Sequence, residues 1–326
     1  RTFGMEGMFR SLGIYSIVGQ KYNPEDADQL AFYKEDIKGQ ILEEGITEAG
    51  SMSSWNAAAT SYANHGVALL PFYICYSMFG FQRTADLAWA AGDMRARGFL
   101  LGATAGRTTL NGEGLQHQDG HSHIFASVIP NCRTYDPAFG YELAVLIQHG
   151  LREMHVEHKD VYYYLSLYNE NYQQSAMPPG VEGGIVRGMY LLRSDDYKDT
   201  PHVQLLGSGA LLREVIAAAD LLREEWGVTS DVWSVPSFTE LARDGAEVER
   251  WNLLHPEQPA RKPYVAECLA GMIGPAIASS DWIRAWPEQI RPFVPMPYHV
   301  LGTDGFGRSD NRPALRDFFE VDRRWV

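Results

Sequence analysis

At 326 residues the chain exceeds one small domain, and at roughly 100 to 200 residues per domain it predicts two. Hydrophobic residues at 45% and charged residues at 21% make an ordinary globular composition, which excludes a disordered or fibrous chain. The formal charge of -13 excludes nucleic acid as the main partner, because phosphate binding needs clustered Lys and Arg.

The chain opens Arg1-Thr2-Phe3-Gly4-Met5, with neither an initiator methionine nor the charged-then-apolar pattern of a signal peptide, and so reads as a fragment or processed chain. Ser16 to Tyr33 contains a proline and no periodicity; a loop or arm is expected there. From Lys38 short apolar runs alternate with amphipathic stretches, the pattern of an α/β domain with a largely parallel sheet. Strands are predicted at Gly39 to Leu42, Ala68 to Cys75, Gly98 to Ala103, Ser127 to Tyr135 and Val161 to Leu167. Helices are predicted at Glu48 to Ala63, Phe81 to Arg95 and Ala138 to Met154, the last with Leu143, Leu146, Ile147 and Leu151 at helical intervals. Val67 to Tyr76, the longest apolar candidate, contains Pro71 and falls short of the roughly 20 residues of a membrane helix, so no membrane segment is expected. Cys75, Cys132 and Cys268 are far apart and form no CxxC pair; buried reduced thiols are expected.

Asn169 to Thr200 has the texture of an interdomain connection, with Met177-Pro178-Pro179-Gly180, Gly183-Gly184 and Asp195-Asp196. The expected boundary lies near Pro179, giving domains of 1–178 and 179–326. The second opens with Val203 to Gly209, a buried strand turning at glycines into a helix from Leu211 to Trp226 with Leu211, Val215, Ala219 and Leu222 on one face. Further strands are predicted at Ser230 to Val235, Pro275 to Ser279 and His299 to Gly302. The fold class is therefore α/β: two consecutive α/β domains with mostly parallel sheets.

Three segments could carry chemistry. The densest polar cluster, Asn111 to His123, follows a predicted strand, and ligands of open α/β sheets bind at strand C-terminal ends. It holds His117, His121 and His123 with Glu113 and Asp119, and imidazole is poised for proton transfer near neutral pH. The same histidines could hold zinc or iron, although their spacing is not the HExxH pattern; alternatively the cluster caps a helix and hydrogen-bonds a loop. Glu43, Glu44 and Glu48 flank a strand-to-helix junction, where spacing alone favours a structural role at the helix dipole. The aromatic run Phe72 to Phe81 suits a core, or an apolar pocket for a planar ring.

In order along the chain, Arg1 to Gly7, Tyr33-Lys34-Glu35-Asp36, Pro71-Phe72-Tyr73, Ser77 to Arg83, Gly106 to His117 and Gly302 to Ser309 resemble the homodimeric, bacterial-type first component of the pyruvate dehydrogenase complex, in the transketolase superfamily. The resemblance covers nearly the whole chain. It implies a thiamine diphosphate pyrimidine-binding domain followed by a truncated transketolase C-terminal-like domain. Gly45-Ile46-Thr47-Glu48 matches the superfamily's Gly-Ile-x-Glu element, so Glu48 rather than Glu44 is implied as the glutamate that hydrogen-bonds a pyrimidine nitrogen of the cofactor. Tyr76 and Phe79 match positions that line and stack on the pyrimidine. His117 and Glu113 match the active-site loop, with His117 implied in proton transfer or anion stabilisation; His121 and His123 are left between supporting and structural roles.

The implied reaction is decarboxylation of pyruvate and reductive acetylation of lipoyl groups on the dihydrolipoyl acetyltransferase component, in a cytoplasmic homodimer when complete. One departure matters. The superfamily holds the diphosphate through Mg2+ on a separate N-terminal domain, by a Gly-Asp-Gly motif and a downstream Asn. Gly92-Asp93-Met94 lacks the second glycine, and Gly302-Thr303-Asp304-Gly305 falls in the wrong domain. Acidic residues that precede Arg1 in the family are absent, and the family's last segment continues past Val326. No metal ligand is therefore assigned in this sequence. The diphosphate-binding N-terminal domain or a second subunit is an expected partner, without which the chain should be inactive and bind the cofactor weakly. Two other readings stand beside this one: a non-catalytic, regulatory pyrimidine-domain protein, and a metal hydrolase built on the His cluster.

Overall fold

The computed structural model describes residues 7–25, 33–196 and 200–326, which fall into two compact units, Arg1–Ser51 and Met52–Val326. In the first unit, α1 (Gly7–Leu12) leads into β1 (Ile14–Tyr15), which pairs in parallel with β2 (Glu35–Asp36). The predicted strand Gly39 to Leu42 reduces to one bridge between Ile14 and Ile41. Its backbone N–H groups are taken up in turns, Gly39 by Asp36 and Gln40 by Leu12 and Gly13. A Cβ at Gly39 would sit 2.4 Å from the Ile14 carbonyl carbon, so glycine permits this approach. Of the expected arm, residues 16–25 form neither helix nor strand, and residues 26–32 lie outside the described residues. The unit ends as α2 (Glu48–Ala59) begins, where the Thr47 hydroxyl accepts the Gly50 N–H.

The second unit holds two sheets. After α3 (Ser61–Asn64), β3 (Phe72–Tyr76), α4 (Gly80–Asp93), β4 (Phe99–Ala103), α5 (Ser122–Ser127), β5 (Cys132–Tyr135), α6 (Gly140–Leu151) and β6 (Tyr162–Ser166) build an all-parallel sheet of order β3-β4-β6-β5. Consecutive residues of β6 serve opposite faces: Tyr162 and Tyr164 pack with Trp55, Phe81 and Ala126, whereas Tyr163 and Leu165 pack with Leu146 and Ile185. Burial at every position is why the central strands β4 and β6 read as continuous apolar or aromatic runs. The predicted strand Ser127 to Tyr135 shrinks to β5, because residues 128–131 turn around Pro130, which lacks the N–H a ladder needs.

Next come α7 (Glu182–Arg187), β7 (Tyr190–Ser194), β8 (His202–Gly207), α8 (Leu212–Trp226), β9 (Thr229–Ser234), α9 (Phe238–Leu254), α10 (Tyr264–Cys268), β10 (Ala276–Ser279), β11 (Tyr298–Leu301) and α11 (Arg312–Phe318). The sheet order is β11-β10-β8-β9-β7, parallel except for the antiparallel edge strand β7. Both α7 and β7 fall inside the stretch expected to be a mere connection; an edge strand with a bulge between Leu191 and Arg193 has no clean alternation to announce it. Helix α8 packs Leu212, Val215 and Ala219 on one face of the sheet, close to the predicted stripe, and α9 packs Phe238 and Leu241 on the other. Cys75 and Cys132 are buried and Cys268 is half-buried, and none is in a disulfide.

Candidate functional site

The site lies where the strands of the first sheet end. β3 finishes at Tyr76 and tightens into a turn, Ser77–Phe79, while β4 finishes at Ala103 and releases a long loop that runs to α5. The buried Ser77 hydroxyl donates to Asp119 Oδ2 and lies 3.1 Å from the Tyr164 hydroxyl. Asp119 Oδ1 accepts the N–H groups of His121 (2.9 Å) and Ser122 (3.1 Å). Asp119 thus staples the far end of the loop to the end of β3.

That staple brings His117 against two aromatic rings. The His117 ring centroid is 5.4 Å from that of Tyr76 and 5.0 Å from that of Phe79, the latter edge-on. Tyr76 and Phe79 meet edge-to-face at 6.1 Å, and the Arg83 guanidinium lies 4.1 Å over the Phe79 ring. His117 Nδ1 is buried and hydrogen-bonds no described residue. An unsatisfied imidazole nitrogen costs free energy in a protein core and is worth retaining where a ligand supplies the partner.

Glu113 sits on the same loop between Gly112 and Gly114, at φ 79° and 87°, and is half-buried. Positive φ at both neighbours suits glycine and sets the sharp path of the loop. Glu48 belongs to the other compact unit, as the half-buried first residue of α2. Tyr76, Phe79 and His117 are therefore brought together, Glu113 shares their loop, and Glu48 stands at a helix N-terminus of its own unit.

The other histidines separate. His121 Nδ1 lies 3.4 Å from Arg107 Nη2, with its ring edge-on to Phe125. His123 is fully buried, with Nδ1 on the Thr134 hydroxyl, Nε2 3.2 Å from the Ser166 hydroxyl and its ring stacked 4.2 Å from Trp286. Burial holds its pKa well below the ordinary imidazole value, so it is a neutral core residue. Three imidazoles in three environments make no ligand set, and among the described residues no group of three or more His, Cys, Asp or Glu side chains could hold a metal ion.

Two buried acids escaped the sequence reading. Asp136, just after β5, accepts the hydroxyls of Ser166, Tyr168 and Ser208, and burial pushes its carboxyl up to about 6. Asp281, just after β10, is also fully buried, and burial raises its carboxyl as well. The only hint in sequence is an acid closing a predicted strand.

The chain matches the pyruvate dehydrogenase E1 component middle domain over residues 1–175 and the transketolase-like TK C-terminal domain over residues 188–322. Among solved structures it resembles transketolase from Campylobacter jejuni, with a TM-score of 0.66 at 21% identity over 89% of this chain and 39% of that one. It also resembles a split-gene transketolase described as an inactive β4 tetramer, with a TM-score of 0.60 at 12% identity over 99% of this chain and 94% of that one. These likenesses define a transketolase-like α/β fold. The chain is 67% identical to the pyruvate dehydrogenase E1 component of Pseudomonas aeruginosa and 58% identical to that of Escherichia coli K12, in each case over 100% of this chain and 37% of the relative. With the middle-domain match covering more than half of its length, the chain belongs to the pyruvate dehydrogenase E1 component family. It spans about 37% of the length of those relatives.

Proposed function

We propose that this span supplies the pyrimidine-facing half of a thiamine diphosphate site in an enzyme that decarboxylates pyruvate and passes the acetyl group to lipoyl groups of a dihydrolipoyl acetyltransferase. The observation that carries the reading is His117, its buried Nδ1 without a hydrogen-bond partner among the described residues, held against Tyr76 and Phe79 at the end of β3. Aromatic edges and faces suit a planar heterocycle, so these residues fit the pyrimidine end of the cofactor. Mg2+ and the diphosphate are proposed to be held by a diphosphate-binding N-terminal domain or a second subunit, as in the superfamily that the sequence resembles.

When bound, thiamine diphosphate supplies the electron sink for decarboxylation. Glu48 would hydrogen-bond a pyrimidine nitrogen of the cofactor; within the Met52–Val326 unit, Tyr76 and Phe79 would orient a planar ring and exclude water, and His117 would hold or move a proton at Nδ1, with Glu113 on the same loop. We divide the span into a pyrimidine domain, 1–178, and a transketolase C-terminal-like domain, 179–326; in support, the four-stranded sheet ends at Ser166 and the five-stranded sheet begins at Tyr190. The complete enzyme works as a cytoplasmic homodimer.

The test is titration of thiamine diphosphate and Mg2+ into the span with and without the diphosphate-binding domain, followed by pyruvate turnover in the complete enzyme. Tight binding only in the presence of that domain, and a loss of at least about 100-fold in kcat for Glu48→Gln, are the expected results. Turnover by the span alone, or an unaffected Glu48→Gln enzyme, would overturn the reading.

A further inference from the structure

The loop bearing Glu113 and His117 is fastened to the second sheet as well as to its own. Asp281 stands just past β10, and its carboxylate accepts from four groups of the loop's first turn. Oδ1 takes the Thr108 N–H at 2.7 Å and the Thr108 hydroxyl at 2.8 Å; Oδ2 takes the Thr109 N–H at 3.0 Å and the Thr109 hydroxyl at 2.6 Å. Asp281, Thr108 and Thr109 are all fully buried. Close approach is built in, since a Cβ at Gly106, where φ is +89°, would lie 2.3 Å from Asp281 Oδ2. Two more ties run from the end of β11: the Arg107 guanidinium donates to the carbonyls of Thr303 (2.9 Å) and Gly305, and Gln118 Oε1 accepts the Arg308 N–H at 2.7 Å. Residues 107–109 and 118 are therefore both held, and 110–117, with Glu113 and His117, project between them.

The chemistry of the clamp demands a carboxylate. All four partners donate, and an ionised carboxylate is an acceptor on both oxygens, whereas an amide would turn an NH2 group toward two donors. Buried charge needs compensation, and Arg107 and Arg316 provide it, Arg316 Nη2 also reaching the Thr109 hydroxyl at 3.3 Å. We propose that Asp281 is a positioning residue for the reaction, acting through Thr108 and Thr109 to set the loop that presents Glu113 and His117, so that the second sheet's strand ends are a working part of the site. The inference rests on the catalytic reading of His117 and Glu113 given above.

The experiment compares the complete holoenzyme with Asp281→Asn, Thr109→Val and Thr109→Ser variants, reading hydrogen exchange of residues 107–118 together with kcat and KM for pyruvate. Asp281→Asn and Thr109→Val are expected to speed exchange across 107–118 at least tenfold with β6 and β8 unchanged, and to lower kcat at least tenfold with KM within twofold. Thr109→Ser restores the hydroxyl and should stay within twofold of wild type in both readouts. Should Asp281→Asn fail to fold, the Thr109 pair decides the matter from the other side of the clamp. Unchanged exchange in 107–118, or Thr109→Val matching Thr109→Ser, overturns the proposal. A wild-type holoenzyme inert toward pyruvate overturns the proposed function instead, and the exchange readout still decides the clamp.

Discussion

The Asp136 carboxyl, buried with three hydroxyl donors, has its pKa pushed up from an ordinary 3.8 to about 6, because burial outweighs those hydrogen bonds. Between the two values the folded chain holds a proton that the unfolded chain has released. Stability therefore falls as pH rises from about 4 to about 6 and is level above that range. Relative to Asp136→Asn, the wild-type chain is expected to gain up to about 3 kcal/mol on going from pH 6.5 to pH 4, read from urea midpoints. Identical pH slopes in the two proteins would sink this account. Residue identity alone did not separate the histidines of the loop. His117 and His123 lie six positions apart in one polar cluster, yet one faces Tyr76 and Phe79 and the other is locked among Thr134, Ser166 and Trp286. Those partners come from distant parts of the chain, which spacing cannot report. The proposal for Glu48, by contrast, rests only on the family's Gly-Ile-x-Glu element, since any acid at a helix start fits the dipole equally well.

At the scale of elements, α9 and α5 depend on each other through one side chain. Arg243 of α9 donates to the carbonyls of Ser127 (3.1 Å), Ile129 (2.8 Å) and Cys132 (2.8 Å), and is held in place by Glu240 at 2.7 Å. It donates to carbonyls at the end of α5, in the turn that follows and at the first residue of β5. Arg243→Leu is expected to destabilise the chain by about 3 kcal/mol in urea unfolding, and Arg243→Lys to recover less than half, because an ammonium cannot span the same fork. A loss below about 1 kcal/mol for Arg243→Leu would show that water replaces the guanidinium there. Helix α8 was legible from its apolar stripe and β4 and β6 from their unbroken burial. The short helix α5 and the edge strand β7 were not, since six residues carry too little periodicity and an edge strand is only half covered.

Across the Met52–Val326 unit as a whole, the two sheets share a core. Ala105, Ile124 and Tyr168, from connections of the first sheet, pack with Trp282, Trp286 and Leu206 of the second. One cooperative transition is expected for this unit, with β4 and β6 losing protection at the same denaturant concentration as β8 and β10 in hydrogen exchange. Two separate transitions would mean that the junction contributes little. Two α/β layers in series were visible in the alternation of apolar runs and amphipathic stretches. How they join was not: the junction is built from Asp136, Asp281, Arg107 and Arg316, polar residues whose partners include Ser208, Thr108, Thr303 and Thr109, in loops that follow other strands.

The clamp at Asp281 also orders events in time. Thr109 is met by a residue 172 positions later in the chain. At roughly 5 to 20 residues per second on a ribosome, the loop waits on the order of 10 to 30 seconds for its acceptor to be synthesised. The first sheet is complete in sequence long before then, so a nascent chain passes through a stage in which its nearest strands are made and its chemistry is still slack.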